Sequence, residues 1–291
     1  MDSIENKVKY LQEMEAVDSA SALQAVRQQI SRKSRIAAFW QVYRKVAAVL
    51  ILPFIGISIY LFFSERNSAH SITTSSPYGL VSEIMLPDSS VVILNSNSSL
   101  VYPSEFRSAK RNVSLNGEAY FKVKSDSKHP FTVDCNGLEI TAVGTEFNIE
   151  GYGDKVITSL VKGKVNIYQE KYGEKLLMIS MTPGQAVEYL KEKDVLISKN
   201  PRSLYGNTAW MDGKIVFEKT SLKEVTECMS RYGDMAFEFE PGVNTAYSYT
   251  GTFNKIDIEK IFDYIEYTTP VNIALLRTEP GGKKIYRVSS R

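Results

Sequence analysis

Apolar and polar positions alternate through the middle of the chain, from about residue 80 to residue 200. Runs such as RNVSL (111–115) and AYFKV (119–123) have the period of two that is typical of half-buried strands. Turn dipeptides separate the runs, among them Asn116-Gly117 and Pro183-Gly184. The first predicts a tight hairpin between RNVSL and AYFKV, and the second predicts a type II turn. Regularly spaced strands with almost no helical period predict an all-β sandwich or roll.

The pattern after residue 208 has a helical period and repeats itself. FEKTSLKEVTECM (217–229) aligns with FNKIDIEKIFDYI (253–265) at a constant offset of 36 residues. Each copy predicts a strand end, a helix cap and a short amphipathic helix, with Ser221 and Glu224 as a capping box in the first copy and Asp257 as the cap of the second. Each helix leads into another apolar run. The sequence therefore predicts a small α+β domain with duplicated β-α-β units.

Residues 1–45 show a weaker helical pattern. Leu23, Val26 and Ile30 recur at helical spacing and would form an apolar stripe on a short amphipathic helix. A segment this short buries little surface alone, so such helices are stable mainly when they dock on a partner or on a membrane surface. A solvated basic stalk is the alternative interpretation.

Residues 46–63 carry no charge and would reach about 27 Å as a helix, close to the thickness of a bilayer core. The positive charges lie before this stretch: six between residues 27 and 45, against one in the residues just after it. This bias predicts a transmembrane helix with a cytoplasmic N-terminus. A cleaved signal peptide fits less well because the run begins at residue 46, and a core helix would keep a polar stripe.

Charge and cysteine content limit the remaining classes of function. Residues 1–45 have a net charge of +3 and residues 64–291 a net charge of −1, so the larger part gives no support for nucleic-acid binding. Residues 64–79 are rich in Ser and Thr and predict a linker. Cys135 and Cys228 are the two cysteines, and we expect two free, largely buried thiols in preference to a bridge.

Candidate catalytic residues are few. His70 and His129 have no Cys or carboxylate neighbours at the spacing of metal ligands, and no phosphate-binding loop or nucleophile motif occurs in the sequence. The carboxylates fall on alternating strand positions and on polar helix faces, where solvation explains them. We therefore expect a protein that is not an enzyme and that needs no cofactor or metal.

Six motifs in register resemble the external β-domain of FecR-type transmembrane anti-sigma factors. They are LPDSSVVILNSNSSLVYPSEF (86–106), LNGEAYFKV (115–123), HPFTV (129–133), VGTEFNI (143–149), LVKGKVNI (160–167) and MTPGQAVEY (181–189). The segment TAWMDGKIVF (208–217) and the repeat that follows resemble the C-terminal domain of Bacteroides-type members, with a fold like the short N-terminal domain of secretins and TonB-dependent transporters. We interpret these motifs as fold determinants whose large side chains fill the sandwich core: Tyr120, Phe121, Phe131, Phe147 and Ile149.

The resemblance implies a regulator with two partners. A signalling domain of an outer-membrane TonB-dependent transporter would contact the C-terminal part, where Tyr247 and Tyr249 are candidate contacts or core residues. An extracytoplasmic-function sigma factor would contact the cytoplasmic segment, with Leu23, Val26, Ile30 and Trp40 as candidates. Trp40 could equally anchor the chain at a membrane interface. The runner-up function is a non-signalling envelope adaptor that anchors the β-domain near a transporter or secretin.

The sequence thus predicts a single-pass protein of the bacterial inner membrane, with a cytoplasmic N-terminus and a periplasmic C-terminus. Its predicted parts are a short α-helical sigma-interacting segment (1–45), a transmembrane helix (46–63), a periplasmic linker (64–79), a FecR-like all-β domain (80–200) and a C-terminal α+β domain (208–291).

Overall fold

The computed structural model describes residues 6–10, 24, 27, 51, 53–60, 70–106, 111–201 and 203–291. The chain divides into two units, Met1–Ser68 and Ala69–Arg291. The second unit contains all the strands listed below, and it is the part of the molecule in which a site can be described.

The described residues of the first unit are helical, and the longest stretch among them is 53–60. No helix among the residues that the structure describes is long and apolar enough to cross a membrane. The prediction of a single-pass membrane protein is therefore wrong on the described part of the chain.

The second unit begins with thirteen strands. They are β1 (Ser71–Ser76), β2 (Ser82–Met85), β3 (Val91–Leu94), β4 (Ser98–Pro103), β5 (Arg111–Lys122), β6 (Phe131–Cys135), β7 (Leu138–Ala142), β8 (Glu146–Gly151), β9 (Lys155–Lys162), β10 (Val165–Lys171), β11 (Glu174–Met181), β12 (Ala186–Leu190) and β13 (Val195–Lys199). Except for β5 and β6, which are parallel, neighbouring strands pair antiparallel. Burial alternates from residue to residue along β3, β4 and β7, as the alternation of apolar and polar residues in the sequence predicted.

Strand β5 belongs to two layers of this sandwich. Its first half pairs with β4 and β6, in the layer ordered β1-β4-β5-β6-β7-β10-β11, and its second half pairs with β3 and β8, in the layer ordered β2-β3-β5-β8-β9-β12-β13. The change of partners falls at Asn116-Gly117, because Asn116 pairs with Ser99 of β4 and Gly117 pairs with Gly151 of β8. One strand therefore connects both layers.

This continuity shows that the predicted hairpin at Asn116-Gly117 is wrong. Gly117 has a φ of 99°, which favours glycine, and a Cβ there would lie 2.4 Å from the Ser98 hydroxyl oxygen. Glycine is needed at position 117 because β5 bends there between the two layers and β4 approaches closely. The chain does not reverse direction at this point, since β5 continues to Lys122. The predicted type II turn at Pro183-Gly184 is confirmed, since Gly184 has a φ of 88° and the Gln185 amide donates to the Thr182 carbonyl oxygen.

The sandwich core lies between the two layers. Phe121 of one layer stacks on Phe147 with ring centroids 5.0 Å apart and lies 6.1 Å from Phe131 of the other layer. All five large residues expected to fill this core are buried, and four of them belong to it: Phe121, Phe131, Phe147 and Ile149. Tyr120 is buried outside this core, and its hydroxyl donates to Oε2 of Glu146 at 3.3 Å. Continuous burial of large aromatic area is the main stabilising contribution to this part of the fold.

The C-terminal part is α+β. It consists of the single-turn helix α1 (Tyr205–Thr208), β14 (Lys214–Ser221), α2 (Leu222–Tyr232), β15 (Met235–Phe239), β16 (Ser248–Asn254), α3 (Ile258–Thr268), β17 (Val271–Thr278) and β18 (Lys284–Ser290). Strand β14 pairs with β16, and β18 lies between β15 and β17. The two sequence copies are thus β14-α2-β15 and β16-α3-β17. Their first strands, β14 and β16, pair antiparallel with each other, and their second strands flank β18, with β15 parallel and β17 antiparallel to it.

Helix caps follow the sequence pattern in one copy and only partly in the other. Ser221 and Glu224 form the predicted capping box at the start of α2. Asp257 occupies the N-cap of α3 but its side chain makes no cap hydrogen bond. Cys135 and Cys228 are both free, as expected.

Candidate functional site at the junction of the sandwich and the C-terminal part

The C-terminal end of α2 docks on the sandwich. The Ser96 hydroxyl donates to the Arg231 carbonyl oxygen at 2.5 Å, and the Asn95 side-chain amide donates to the Tyr232 hydroxyl at 3.1 Å. The last carbonyls of a helix have no partner within it, so a donor from another element satisfies a group that would otherwise be orphaned. We call this contact, formed by Asn95, Ser96, Glu118, Glu150 and Tyr152 of the sandwich and by Arg231 and Tyr232 of α2, the junction.

Arg231 is the charged residue that α2 contributes to the junction. Its Nη1 lies 2.5 Å from Oε1 of Glu150, and its guanidinium carbon lies 4.4 Å from the centroid of the Tyr152 ring. The Arg231 and Glu150 side chains are 20% and 21% exposed, so the pair is largely shielded from water. Tyr152 is held in place because its hydroxyl donates to the Ser96 carbonyl oxygen at 2.7 Å. One guanidinium therefore both pairs with a carboxylate and stacks on a ring.

Glu118 is a buried carboxyl group at the centre of the junction, with 6% of its surface exposed. Its Oε2 accepts a hydrogen bond of 2.7 Å from the Asn95 amide, and its Oε1 accepts one of 2.8 Å from the Asn148 amide. Within the described residues Glu118 forms no ion pair. Burial, followed by the nearby Glu150 carboxylate, raises the pKa of Glu118 from 4.5 to about 8, although the two amides and Arg231 act in the opposite direction.

A polar cleft of about 330 Å³ lies beside the junction and is lined by both parts of the unit. Lysines and glutamates of both parts line it, and Trp210 forms part of its wall with an indole N–H that is buried without a hydrogen-bond partner. Among the described residues no group of three His, Cys, Asp or Glu side chains could hold a metal ion. The arrangement suits the coupling of two domains through charge and hydrogen bonds.

The four candidate sigma-factor contacts lie outside the described residues: Leu23, Val26, Ile30 and Trp40. Tyr249 is 2% exposed, and its hydroxyl is 2.9 Å from the Thr269 hydroxyl. Tyr247 is partly buried against the same core. Both tyrosine side chains thus pack in or against the core of the C-terminal part. Their role as a transporter contact stays a prediction.

The C-terminal part exposes apolar side chains elsewhere. Ile256 and Tyr267 are 95% and 91% exposed at the two ends of α3, and Leu275 on β17 is 54% exposed. Strands β15 and β17 are the two edges of the three-stranded sheet, so each has unpaired backbone groups along one side. These three side chains and the edge strand β17 are each accessible on the second copy, and we call them together its exposed apolar surface.

Sequence reasoning missed the junction because it interpreted the carboxylates as solvated. Burial alternates along β5 until Gly117, and the next four residues, from Glu118 to Phe121, are all buried. The uninterrupted apolar run Ala119-Tyr120-Phe121 was the available indication, since a strand covered on both faces loses its alternation. Nothing local indicates the surroundings of Glu118, because its partners Asn95 and Asn148 are 23 and 30 positions away, and Tyr232 lies 137 positions from Asn95.

Comparison with known proteins agrees with this two-part architecture. A sequence model described as FecR protein matches residues 72–166, and one described as FecR, C-terminal, matches residues 214–278. Together they cover more than half of the chain. The chain belongs to the FecR family. No curated protein shows significant similarity to this FecR-family chain.

Two crystal structures of a candidate anti-sigma factor from Parabacteroides distasonis ATCC 8503 are similar to the FecR-family chain. Each has a TM-score of 0.66 and 24% sequence identity over 76% of this chain, and the match covers 100% of one of those chains and 99% of the other. At this identity the likeness establishes a shared fold. The fold of the FecR-family chain therefore recurs over the full length of the Parabacteroides distasonis structures.

Proposed function

We propose that this FecR-family protein is an anti-sigma regulator. The observation that carries the proposal is the matching of both FecR regions, in order, within one compact unit from Ala69 to Arg291. The fold shared with a candidate anti-sigma factor supports it. The partner of such a regulator is a sigma factor.

The finer proposal is a relay between two partners. The signalling domain of an outer-membrane TonB-dependent transporter would bind the C-terminal part, and residues 1–45 would hold an extracytoplasmic-function sigma factor. The exposed apolar surface of the second copy supports the first contact, because accessible apolar residues beside a sheet edge suit a protein partner. The stripe of Leu23, Val26 and Ile30 supports the second.

The sigma-factor contact is tested by purifying the tagged full-length protein from its host and identifying co-purifying sigma factors. The double variant Val26→Asp with Ile30→Asp should lose the sigma factor, because two charges cannot be buried in an apolar interface without a large cost. Gln28→Asp is the matched control, since Gln28 lies on the opposite side of a helix from Val26. A wild-type protein that brings down no sigma factor would support the adaptor function instead.

The transporter contact is tested by Tyr267→Asp combined with Leu275→Asp. Both side chains are exposed, so the fold should persist while the response of the regulated genes to the inducing ligand is lost. Tyr172→Asp is the matched control, because Tyr172 is fully exposed at the β10–β11 turn of the sandwich. An unchanged ligand response in the double variant would exclude this surface as the receiver.

A further inference from the structure

Glu118 has an unusual position for an acidic residue. It is the buried carboxyl group at which two parts of the second unit, the sandwich and α2, meet. The Asn95 amide donates to both Glu118 Oε2, at 2.7 Å, and the Tyr232 hydroxyl, at 3.1 Å. A single side chain, Asn95, therefore connects the Glu118 carboxyl group to helix α2, and a change in the protonation of Glu118 acts on a direct partner of the helix.

Several titratable groups face Glu118 from the elements packed around it. Strand β8 and the residue after it contribute Glu150 and Tyr152, α2 contributes Cys228, Arg231 and Tyr232, and the segment between β16 and α3 contributes Lys255.

The one arginine of this group is already engaged. Arg231 pairs with Glu150 at 2.5 Å, so an ionised Glu118 adds a second negative charge beside a cation that is already neutralised. Lys255 lies over the Tyr232 ring at 5.2 Å and forms no ion pair with Glu118. An uncompensated charge in a buried position is costly.

The protonated form of Glu118 has a place for its proton. Asn148 Oδ1 is buried without a hydrogen-bond partner, while Nδ2 of the same amide contacts Glu118 Oε1 at 2.8 Å. A half-turn of the Asn148 amide brings Oδ1 to Glu118, where it accepts a hydrogen bond from the protonated carboxyl group. The junction can thus exchange an acceptor carboxylate for a donor carboxyl group without moving the backbone.

We propose that Glu118 is a proton-controlled latch, which holds α2 on the sandwich when it is protonated and loosens the junction when it is ionised. The latch would set how rigidly the C-terminal part is joined to the sandwich, whatever partner the protein binds.

The direction of the pH dependence follows from linkage. The pKa of Glu118 is about 8 in the closed junction, and the ordinary value of 4.5 applies once the carboxyl group reaches water, so opening releases a proton. The junction is most stable below pH 4.5. Its opening equilibrium constant then rises by up to about tenfold per pH unit between the two values and levels off above the higher one.

The test compares amide hydrogen exchange of the full-length wild-type protein and of Glu118→Gln between pH 5 and pH 9. At each pH the ratio of wild-type to variant exchange rates removes the intrinsic dependence on hydroxide. We expect this ratio to climb with pH in peptides covering residues 92–99 and 222–233, and to stay constant in peptides covering β6 and β7. Glu227→Gln is the matched control, since Glu227 is a half-exposed carboxylate on the same helix and its ratio should be independent of pH.

A second measurement does not depend on the variant retaining its fold. The side-chain carboxyl carbon of Glu118 in uniformly ¹³C,¹⁵N-labelled wild-type protein, assigned by through-bond correlation to its own backbone amide, should titrate far above the other glutamates. Titration near 4.5 would overturn the proposal. So would a flat exchange ratio at the junction, or a ratio that climbs equally in β6 and β7, because the latter reports overall stability and not a latch.

Discussion

The two β-α-β copies of the C-terminal part have the same apolar pattern but bury it to different extents. Helix α2 buries five residues and α3 buries two. The deepest positions agree, since Val225 and Met229 match Ile261 and Ile265, and all four are fully buried. The copies differ at their C-terminal ends, where Arg231 of α2 docks on the sandwich and the equivalent Tyr267 of α3 is 91% exposed. The shared apolar positions thus determine how each helix packs in the C-terminal core. Residues at other positions, such as Arg231 and Tyr267, determine that the first copy contacts the sandwich and that the second is exposed to solvent.

The largest effect expected from this difference concerns the first helical residue. Leu222→Ala should lower the free energy of unfolding by about 2–5 kcal/mol because Leu222 is fully buried and a cavity is left. The matched Ile258→Ala should cost about 1–2 kcal/mol, because Ile258 is only partly buried. Chemical denaturation followed by circular dichroism measures both, and equal losses would contradict the comparison.

A smaller effect is expected at the C-terminal ends of the helices. Arg231→Ala should cost about 2 kcal/mol, since it leaves Glu150 without its cation in a largely buried site. Tyr267→Ala should change stability by less than about 0.5 kcal/mol, because the side chain is exposed.

The same denaturation experiment checks this pair, and hydrogen exchange shows where the loss occurs. In Arg231→Ala the faster exchange should be confined to the junction and α2. Faster exchange in α3 would mean that the two copies are not independent.

The smallest effect is expected at the helix caps. Ser221→Ala removes a capping box and should cost about 1 kcal/mol, whereas Asp257→Ala removes no cap hydrogen bond and should cost a few tenths of a kcal/mol. Thermal unfolding of both variants at the same pH measures which one loses more stability. A larger loss in Asp257→Ala would show that its exposed pair with Lys260 at 2.7 Å matters more than the cap.

Local patterns in the sequence predicted the elements that depend on near neighbours. The capping box of Ser221 and Glu224, the turn at Pro183-Gly184 and the burial of Phe121 and Phe147 all follow from spacing and residue type. Asn116-Gly117 was misread because the dipeptide that closes a hairpin also suits a bend with a close approach, and only the contact with Ser98 distinguishes them.

The junction depends on contacts between distant positions, and no local pattern encodes such contacts. Ser96 and Arg231 are 135 positions apart, and Arg231 and Glu150 are 81 apart. Within its own segment, each of these polar residues has the character of an ordinary solvent-exposed residue. The buried state of Glu118 depends on Asn95 and Asn148 of the sandwich and on the docking of α2, none of which is near it in the sequence.

The shared strand β5 has a consequence for how the sandwich loses its structure. Because its two halves supply a central strand to each layer, neither layer can melt while the other keeps its hydrogen bonds, and we expect the sandwich to unfold cooperatively as one block. Glu118 lies one residue beyond the bend at Gly117, on the same strand. A force applied to α2 therefore acts through Tyr232 and Asn95 on Glu118 of β5. Because β5 belongs to both layers, we expect such a force to disturb both layers together.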